Sequence, residues 1–329
     1  MKNLTTNFAG LELKNPIIVS SSGLTDTAEK CHQLEESGAA AIILKSIFEE
    51  QILQEYDLLK DSDTPEGNNY LETYLHSHTL NKYIALIKEA KRQCHIPIIA
   101  SINCTTHSKW AEYANIFEKA GADAIELNIM EVQTDLAYEF GSYEMMHVYL
   151  LNQVKKHTTL PVIMKLGSNL TNPAALINKL YANGTDAVVL FNRPYRPDIN
   201  IDKMTFNAGE IWTRPSDICE ALRWTGISSA LTPNLDYAIS GGVHDGWAII
   251  KSILVGASAV EICTTLFWNG PQRIQAMLQQ IKVWMKEHHY ENIPSFKSQM
   301  NQNCLNGNNL YERTQFMKYF SNQQENPTQ

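Results

Sequence analysis

The chain has 329 residues, 44% of them hydrophobic and 19% charged, a make-up that excludes a disordered or fibrous protein and allows a sizeable core. A formal net charge of -8 without any Lys/Arg run argues against nucleic acid as a partner. The opening MKNLTTNFAG lacks the apolar stretch of a secretory signal, no apolar run reaches membrane-spanning length, and the six cysteines (31, 94, 104, 219, 263 and 304) show no paired spacing, so the sequence reads as a cytoplasmic protein with reduced thiols and no membrane partner.

Short apolar runs alternate with helical patterns along the chain. Eight strands are predicted: Pro16–Ser21, Ala40–Lys45, Pro97–Ile102, Ala124–Ile129, Pro161–Leu166, Ala187–Phe191, Tyr237–Ser240 and Ala259–Cys263. Most are continuous apolar runs, the pattern of strands buried on both faces of a parallel sheet. Helices such as Thr25–Ser37, Leu80–Cys94, Ser108–Ala120 and Pro173–Asn183 lie between them, and Gly121 and Gly184 stop helices just before the next strand. Eight such units predict an α/β fold of the (β/α)8 TIM-barrel type; an open doubly wound sheet is the rival. One domain is expected over residues 1–300. A polar tail, 301–329, follows it, and its tip is expected to be disordered. The connections Phe48–Thr79, after strand two, and Arg193–Thr232, after strand six, are too long for simple turns and are expected to be rim loops. The second is read as carrying a small hairpin that turns on Asn207–Gly209.

Tyr237 to Pro271 carries the sharpest chemical signal. One strand stops at Gly241-Gly242, and Asp245 can cap a helix that Gly256 ends. The next strand stops at Thr264-Thr265, and Gly270-Pro271 opens the last helix. Glycines let backbone N–H groups approach an anion, and helix N-termini add partial positive charge. In a (β/α)8 barrel, loops seven and eight are the usual place for a phosphate. The other strand ends are polar: Ser20-Ser21-Ser22-Gly23, Lys45-Ser46, Asn103, Asn128, Lys165 and Asn192. Lysines and asparagines that end apolar strands are costly unless satisfied, so their convergence points to a cofactor site. No GxGxxG follows strand one, and no HExxH or carboxylate cluster suggests a metal. Phosphate binding together with amides and lysines at the barrel mouth suits flavin mononucleotide (FMN), whose reduced anion a lysine would stabilise.

These segments together resemble the dihydroorotate dehydrogenase family, soluble class 1. The resemblance runs from about Leu4 to Lys286 and rests on NPIIVSSSG, LKS, ADAIELN, PVIMKLG, VLFNRP and ISGGVHDGWAIIKSILVGASAVEICTTLFWNGP. It implies an FMN oxidoreductase that converts dihydroorotate to orotate in pyrimidine biosynthesis, a small-molecule substrate and a homodimer. Ser21, Ser22 and Gly23 would contact the flavin, with Lys45 and Ser46 beside flavin and substrate. Asn103 and Asn128 would face both, Lys165 the flavin N1 edge, and Asn192 the substrate or ribityl chain. Gly241, Gly242, Cys263 and Thr264 would cradle the phosphate. After strand four the family carries N-x-S-C-P-N, whose Cys is the base. Here the stretch is Asn128-Ile129-Met130-Glu131-Val132-Gln133, with Glu131 at the Cys position, and the family's asparagine-methionine-glycine loop is absent from SDTPEGNNYLETY. Glu131 reads either as a base, if burial raises its pKa, or as a solvated loop carboxylate; the altered loop around it favours the second. The expectation is a kept flavin half and an altered substrate half, with a different substrate, or flavin binding without dihydroorotate turnover, as the alternatives.

Overall fold

The predicted apolar runs all form strands in the computed structural model, which describes residues 2–48, 65–103, 107–304 and 310–313. The strands are β1 (Ile17–Val19), β2 (Ala41–Ile43), β3 (Ile98–Asn103), β4 (Ala124–Ile129), β5 (Val162–Gly167), β6 (Ala187–Asn192), β7 (Asp236–Ser240) and β8 (Ala259–Ile262). Each pairs in parallel with the next, and Val260 of β8 stands opposite Ile17 of β1. That last pairing closes the sheet into a (β/α)8 barrel and disposes of the open-sheet alternative.

Alternation along each strand sorts the side chains into two cores. Ile17, Val19, Ile42, Ile98, Ile125, Leu127, Val188 and Val260 face outward and pack against the helices. Ile18, Ala41, Ile99, Ala124, Ile163, Ala187, Ala238 and Ala259 face inward as the floor of the barrel. Phe8 and Leu13, from the antiparallel pair Thr6–Phe8 and Leu11–Leu13, join that floor and plug the N-terminal end. Two residues further along the same inward rows come Ser20, Ser101, Glu126, Lys165 and Glu261, all buried. The period of 2 that fills the floor with alanine and isoleucine therefore lifts charged groups into the middle of the barrel.

The helices are α1 (Ala28–Glu36), α2 (Pro65–Gln93), α3 (His107–Ala120), α4 (Ser142–Lys155), α5 (Pro173–Ala182), α6 (Ile218–Leu231), α7 (Gly246–Leu254), α8 (Thr264–Asn269) and α9 (Arg273–Glu287). Their starts follow capping chemistry: Thr27 accepts from Lys30 N, Asn172 from Ala175 N and Asp245 from Ala248 N. Gly256, at φ +117°, follows the end of α7.

The two expected rim loops contain more regular structure than their sequences suggest. Helix α2 starts at Pro65, so 65–79 is helical; the polar stretch PEGNNYLETY lacks the apolar stripe that marks a buried helix face. Residues 49–64 of that connection lie outside the described residues. In the second connection Pro197–Asn200 pairs with Thr205–Ala208, so the hairpin turns between 201 and 204, and Asn207–Ala208 belong to its returning strand instead of its turn. A 3-10 turn at Pro215–Asp217 and helix α6 follow it. Thr264-Thr265, expected as a turn, opens α8, and the last helix begins at Arg273. Of the tail, Tyr311 packs on α6: a Cβ on Gly226 would meet its ring at 2.6 Å, and its hydroxyl donates to Met300 O. The expected disordered tip, 314–329, lies outside the described residues.

Candidate active site

The strand ends surround a cavity of about 630 Å³ at the C-terminal mouth of the barrel, a size that suits a cofactor together with a small substrate. Ser21, Ser22, Lys45, Ser46, Asn103, Asn128, Lys165, Asn192, Gly241, Gly242, Cys263 and Thr264 all line it. Gly23 and Glu131 do not. A wider groove of about 1030 Å³ runs outside the barrel between Tyr138 and Lys179, with none of the polar strand ends in it. Ser20, one of the polar strand ends, is also on the wall, and sequence reasoning missed Arg193, Arg196, Thr213 and Glu261 there. Glu261 was available to it, because it stands two residues beyond the floor residue Ala259. The arginines and Thr213 come from the second connection, and only the folded chain brings them over the mouth.

The inner wall is a buried ionic cluster. Lys165 Nζ donates to Glu261 Oε2 at 2.5 Å and to Ser20 Oγ at 3.1 Å, and lies 3.9 Å from Glu126 Oε1. Ser20 Oγ also donates to Glu261 Oε2, at 3.0 Å. Burial alone would lower the lysine pKa, but Glu126 and Glu261 together hold it above its ordinary value. Two carboxyls share one ammonium, and the effect falls on Glu126: burial, then repulsion from Glu261, raises its pKa well above the ordinary glutamate range, against the pull of Lys165. Lys165 is thus an interior residue of β5 and part of a compensated pair.

Glu126 makes stability depend on pH with a definite sign. The folded protein keeps a proton that the unfolded chain releases, so stability falls as pH rises from the ordinary glutamate pKa toward the raised folded one. Glu126→Gln removes that titration, and Ser101 Oγ, which donates to Glu126 Oε1 at 3.1 Å, can donate equally to an amide oxygen. Urea unfolding across this window is expected to show the variant gaining on the wild type as pH rises. A constant difference would mean that Glu126 is ionised in the folded protein.

At the β7 and β8 ends the backbone is open where Gly241 stands. At φ +89° its Cβ position meets no atom within 4 Å, so the chain there borders open space. Gly242 is tight instead: a Cβ would lie 2.3 Å from Ile218 N, at the start of α6. Thr264 Oγ1 accepts from Thr213 N at 3.3 Å, and Thr213 Oγ1 lies 3.0 Å from His244 Nε2. Burial lowers the His244 pKa, which favours a neutral ring. The His244 carbonyl accepts from Thr265 Oγ1 and from Arg273 Nη2, tying α8 and α9 to the turn after β7. Burial likewise pushes the Cys263 thiol up, so it is a neutral wall group.

On the opposite side Asn192 Nδ2 donates to Asn128 Oδ1 at 2.7 Å, which fixes both amides on the wall. Glu131 is held by its backbone: its N–H donates to the Tyr143 hydroxyl at 3.1 Å, and its carbonyl accepts from Asn169 Nδ2 at 2.8 Å. Its side chain is exposed, and Met130 takes the place on the wall. Arg193 is braced by Asp217 at 2.7 Å and by the Glu210 carbonyl, with Arg196 nearby on the same mouth. His32, Glu35 and Cys94, on α1 and just beyond α2, bring ligand-type atoms within 4.8 Å of one another but do not line the cavity. The five described cysteines are free thiols; Cys104 lies outside the described residues.

The family model for dihydroorotate dehydrogenase matches residues 3–205. The catalytic subunit of dihydroorotate dehydrogenase B (NAD(+)) from Thermoplasma volcanium is 27% identical over 305 residues, covering 89% of this chain and 97% of its own. The corresponding subunit from Methanocaldococcus jannaschii is 25% identical, covering 86% and 94%. The NAD-dependent dihydropyrimidine dehydrogenase subunit PreA of Escherichia coli is 23% identical over 328 residues, covering 94% of this chain and 79% of its own. A closed parallel barrel, a polar mouth built from its strand ends and a family model that matches more than half of the sequence agree: this chain belongs to the dihydroorotate dehydrogenase family.

Proposed function

We propose that the protein is an FMN-dependent oxidoreductase of the dihydroorotate dehydrogenase type, acting on a carbon–carbon single or double bond of a small anionic substrate. The observation that carries this reading is the single cavity joining a backbone edge open at Gly241, beside the N-terminus of α8, to the Lys165 ammonium and the Asn103, Asn128 and Asn192 amides. An elongated cofactor with a phosphate at one end and a hydrogen-bonding ring at the other fits that layout. Gly241, Gly242, Cys263 and Thr264 would hold the phosphate, Ser21 and Ser22 the flank of the ring, and Lys165 its N1 edge. Bound FMN supplies hydride transfer. The chain's own residues orient the substrate and carry its charge, with Lys45, Arg193 and Arg196 around the mouth. One FMN per chain is expected. Titration of the purified protein with FMN should quench flavin fluorescence to a one-to-one end point, and an absence of saturable binding would overturn the assignment.

A second reading within the same class concerns the substrate, and Glu131 favours it. A carboxylate that faces solvent off the cavity wall does not reach a substrate in the cavity, so the substrate differs from dihydroorotate or is handled by another group. Slow or absent dihydroorotate oxidation is expected, Glu131→Gln should leave any residual rate unchanged, and Glu131→Cys should not raise it to a normal one. Robust wild-type turnover that vanishes in Glu131→Gln would make Glu131 the base. The PreA relative, named for a dihydropyrimidine, makes reduced pyrimidines the first donors to screen.

We also infer a cytoplasmic homodimer. Among the described residues no helix is long and apolar enough to cross a membrane. The hairpin exposes Ile199, Ile201, Met204 and Phe206, an apolar surface that a second copy of the chain would cover.

A further inference from the structure

We propose that Glu126 exchanges protons with the active-site cavity through the hydroxyls of Ser101, Ser46 and Ser21. This goes beyond the flavin assignment by giving the cavity an internal proton source, and it rests on that assignment only for its use in catalysis. The path is continuous. Ser21 Oγ lies 2.9 Å from Ser46 Oγ, Ser46 Oγ lies 2.7 Å from Ser101 Oγ, and Ser101 Oγ donates to Glu126 Oε1 at 3.1 Å. Ser21 and Ser46 line the cavity, whereas Ser101 and Glu126 are fully buried behind it.

A hydroxyl is both donor and acceptor, so each serine can pass a proton on as it receives one, and the chain then resets by rotation of the O–H groups. The surroundings hold these groups in place. Ser46 N donates to Ser21 Oγ at 2.7 Å, Ser101 N donates to the Tyr83 hydroxyl at 2.9 Å, and that hydroxyl donates to Ser101 O at 3.2 Å.

The far end of the path is built to hold and release one proton. Glu126 Oε2 and Glu261 Oε1 are buried without a hydrogen-bond partner, and one ammonium faces two carboxyls. With the proton on Glu126, the cluster is a neutral acid beside a Lys165–Glu261 ion pair. Without it, the new carboxylate still faces the Lys165 ammonium at 3.9 Å. Both states are accommodated, as a proton store requires. The proton that leaves Glu126 is taken up at Ser21 by whatever base or carbanion-like carbon sits in the cavity, and the reverse transfer recharges the acid. With the proton on Glu126 the path delivers it to the cavity, and without it the path takes one up, so one store serves both the reduction of a carbon–carbon double bond and the reverse oxidation.

The test needs neither flavin nor turnover. The infrared spectrum of the apoprotein should contain the carbonyl band of a buried, protonated carboxylic acid that is absent from Glu126→Gln. In heavy water this band should shift quickly in the wild type. The shift should slow by an order of magnitude or more in Ser101→Ala, which interrupts the path, and less in Ser101→Thr, which keeps a hydroxyl. Circular dichroism checks that both variants are folded, and Ser46→Ala provides a second interruption if Ser101→Ala is not. Absence of the band in the wild type, or equal exchange rates in wild type and both alanine variants, would overturn the proposal. Failure of FMN to bind would leave these spectra as they are, so the two readings fail separately.

Discussion

Lys165→Met is expected to destabilise the folded apoprotein by about 3–5 kcal/mol, the usual cost of leaving one partner of a buried ion pair uncompensated. The lysine is 4% exposed and both of its carboxyl neighbours are fully buried. Without the ammonium, Glu261 loses its one charged partner among the described residues and keeps the Ser20 hydroxyl at 3.0 Å beside the Glu126 carboxyl. The loss should appear as a lower urea midpoint with an unchanged slope. Adding Glu261→Gln to Lys165→Met removes the stranded charge and should restore most of the stability, because a neutral pair of similar volume is often as good as a buried ionic one. A single variant as stable as the wild type would show that water reaches the cluster. With FMN bound as proposed, a second effect is expected: a weaker positive field at the flavin should lower its reduction potential. That effect is tempered by Glu261, which already offsets much of the lysine's charge.

Gly242→Ala is expected to be the most damaging conservative change in the mouth. The residue sits at φ +75°, and a Cβ would stand 2.3 Å from the Ile218 backbone nitrogen and 2.9 Å from Ile218 Cβ. Left-handed backbone costs a non-glycine residue about 1–2 kcal/mol, and overpacking against backbone adds about 1–3 kcal/mol. The start of α6 must shift or the turn after β7 must unwind, and FMN affinity should fall with stability. Gly241→Ala is the control, since it shares the left-handed conformation at φ +89° but meets open space. It should show the backbone cost alone in thermal unfolding. Equal losses at 241 and 242 would mean that contact with α6 is unimportant.

The sequence by itself determined a parallel α/β sheet, and the pairing of β8 with β1 in the folded chain made it a closed barrel. Eight short runs, most of them continuously apolar and each followed by a helix, favour strands buried on both faces, and their register places small residues such as Ala124, Ala187, Ala238 and Ala259 in the crowded floor. Most of the mouth was legible for the same reason, because a polar residue that ends a parallel barrel strand must point into the rim: Ser21, Lys45, Asn103, Asn128 and Asn192 could go nowhere else. The sequence did not reveal helix at 65–79, where no apolar stripe marks a buried face, or the true turn of the hairpin, where Asn207 and Gly209 looked like a better turn than Ile201–Met204.

Only the tertiary structure decided the chemistry between residues far apart in the chain. Glu126, Lys165 and Glu261 lie on three different strands, and nothing local shows that two carboxyls will share one ammonium or that Glu126 will be the one to keep its proton. The line of hydroxyls from Ser21 to Ser101 likewise joins the segments after β1 and β2 to β3. Glu131 shows the reverse case. Its place in the sequence invites the role of a base, but hydrogen bonds from its backbone to Tyr143 and Asn169 hold the loop so that its carboxylate faces solvent and Met130 faces the cavity. Strand identity follows from the burial pattern of a few neighbouring residues, whereas charge state and side-chain direction depend on every group that the fold brings within a few ångströms.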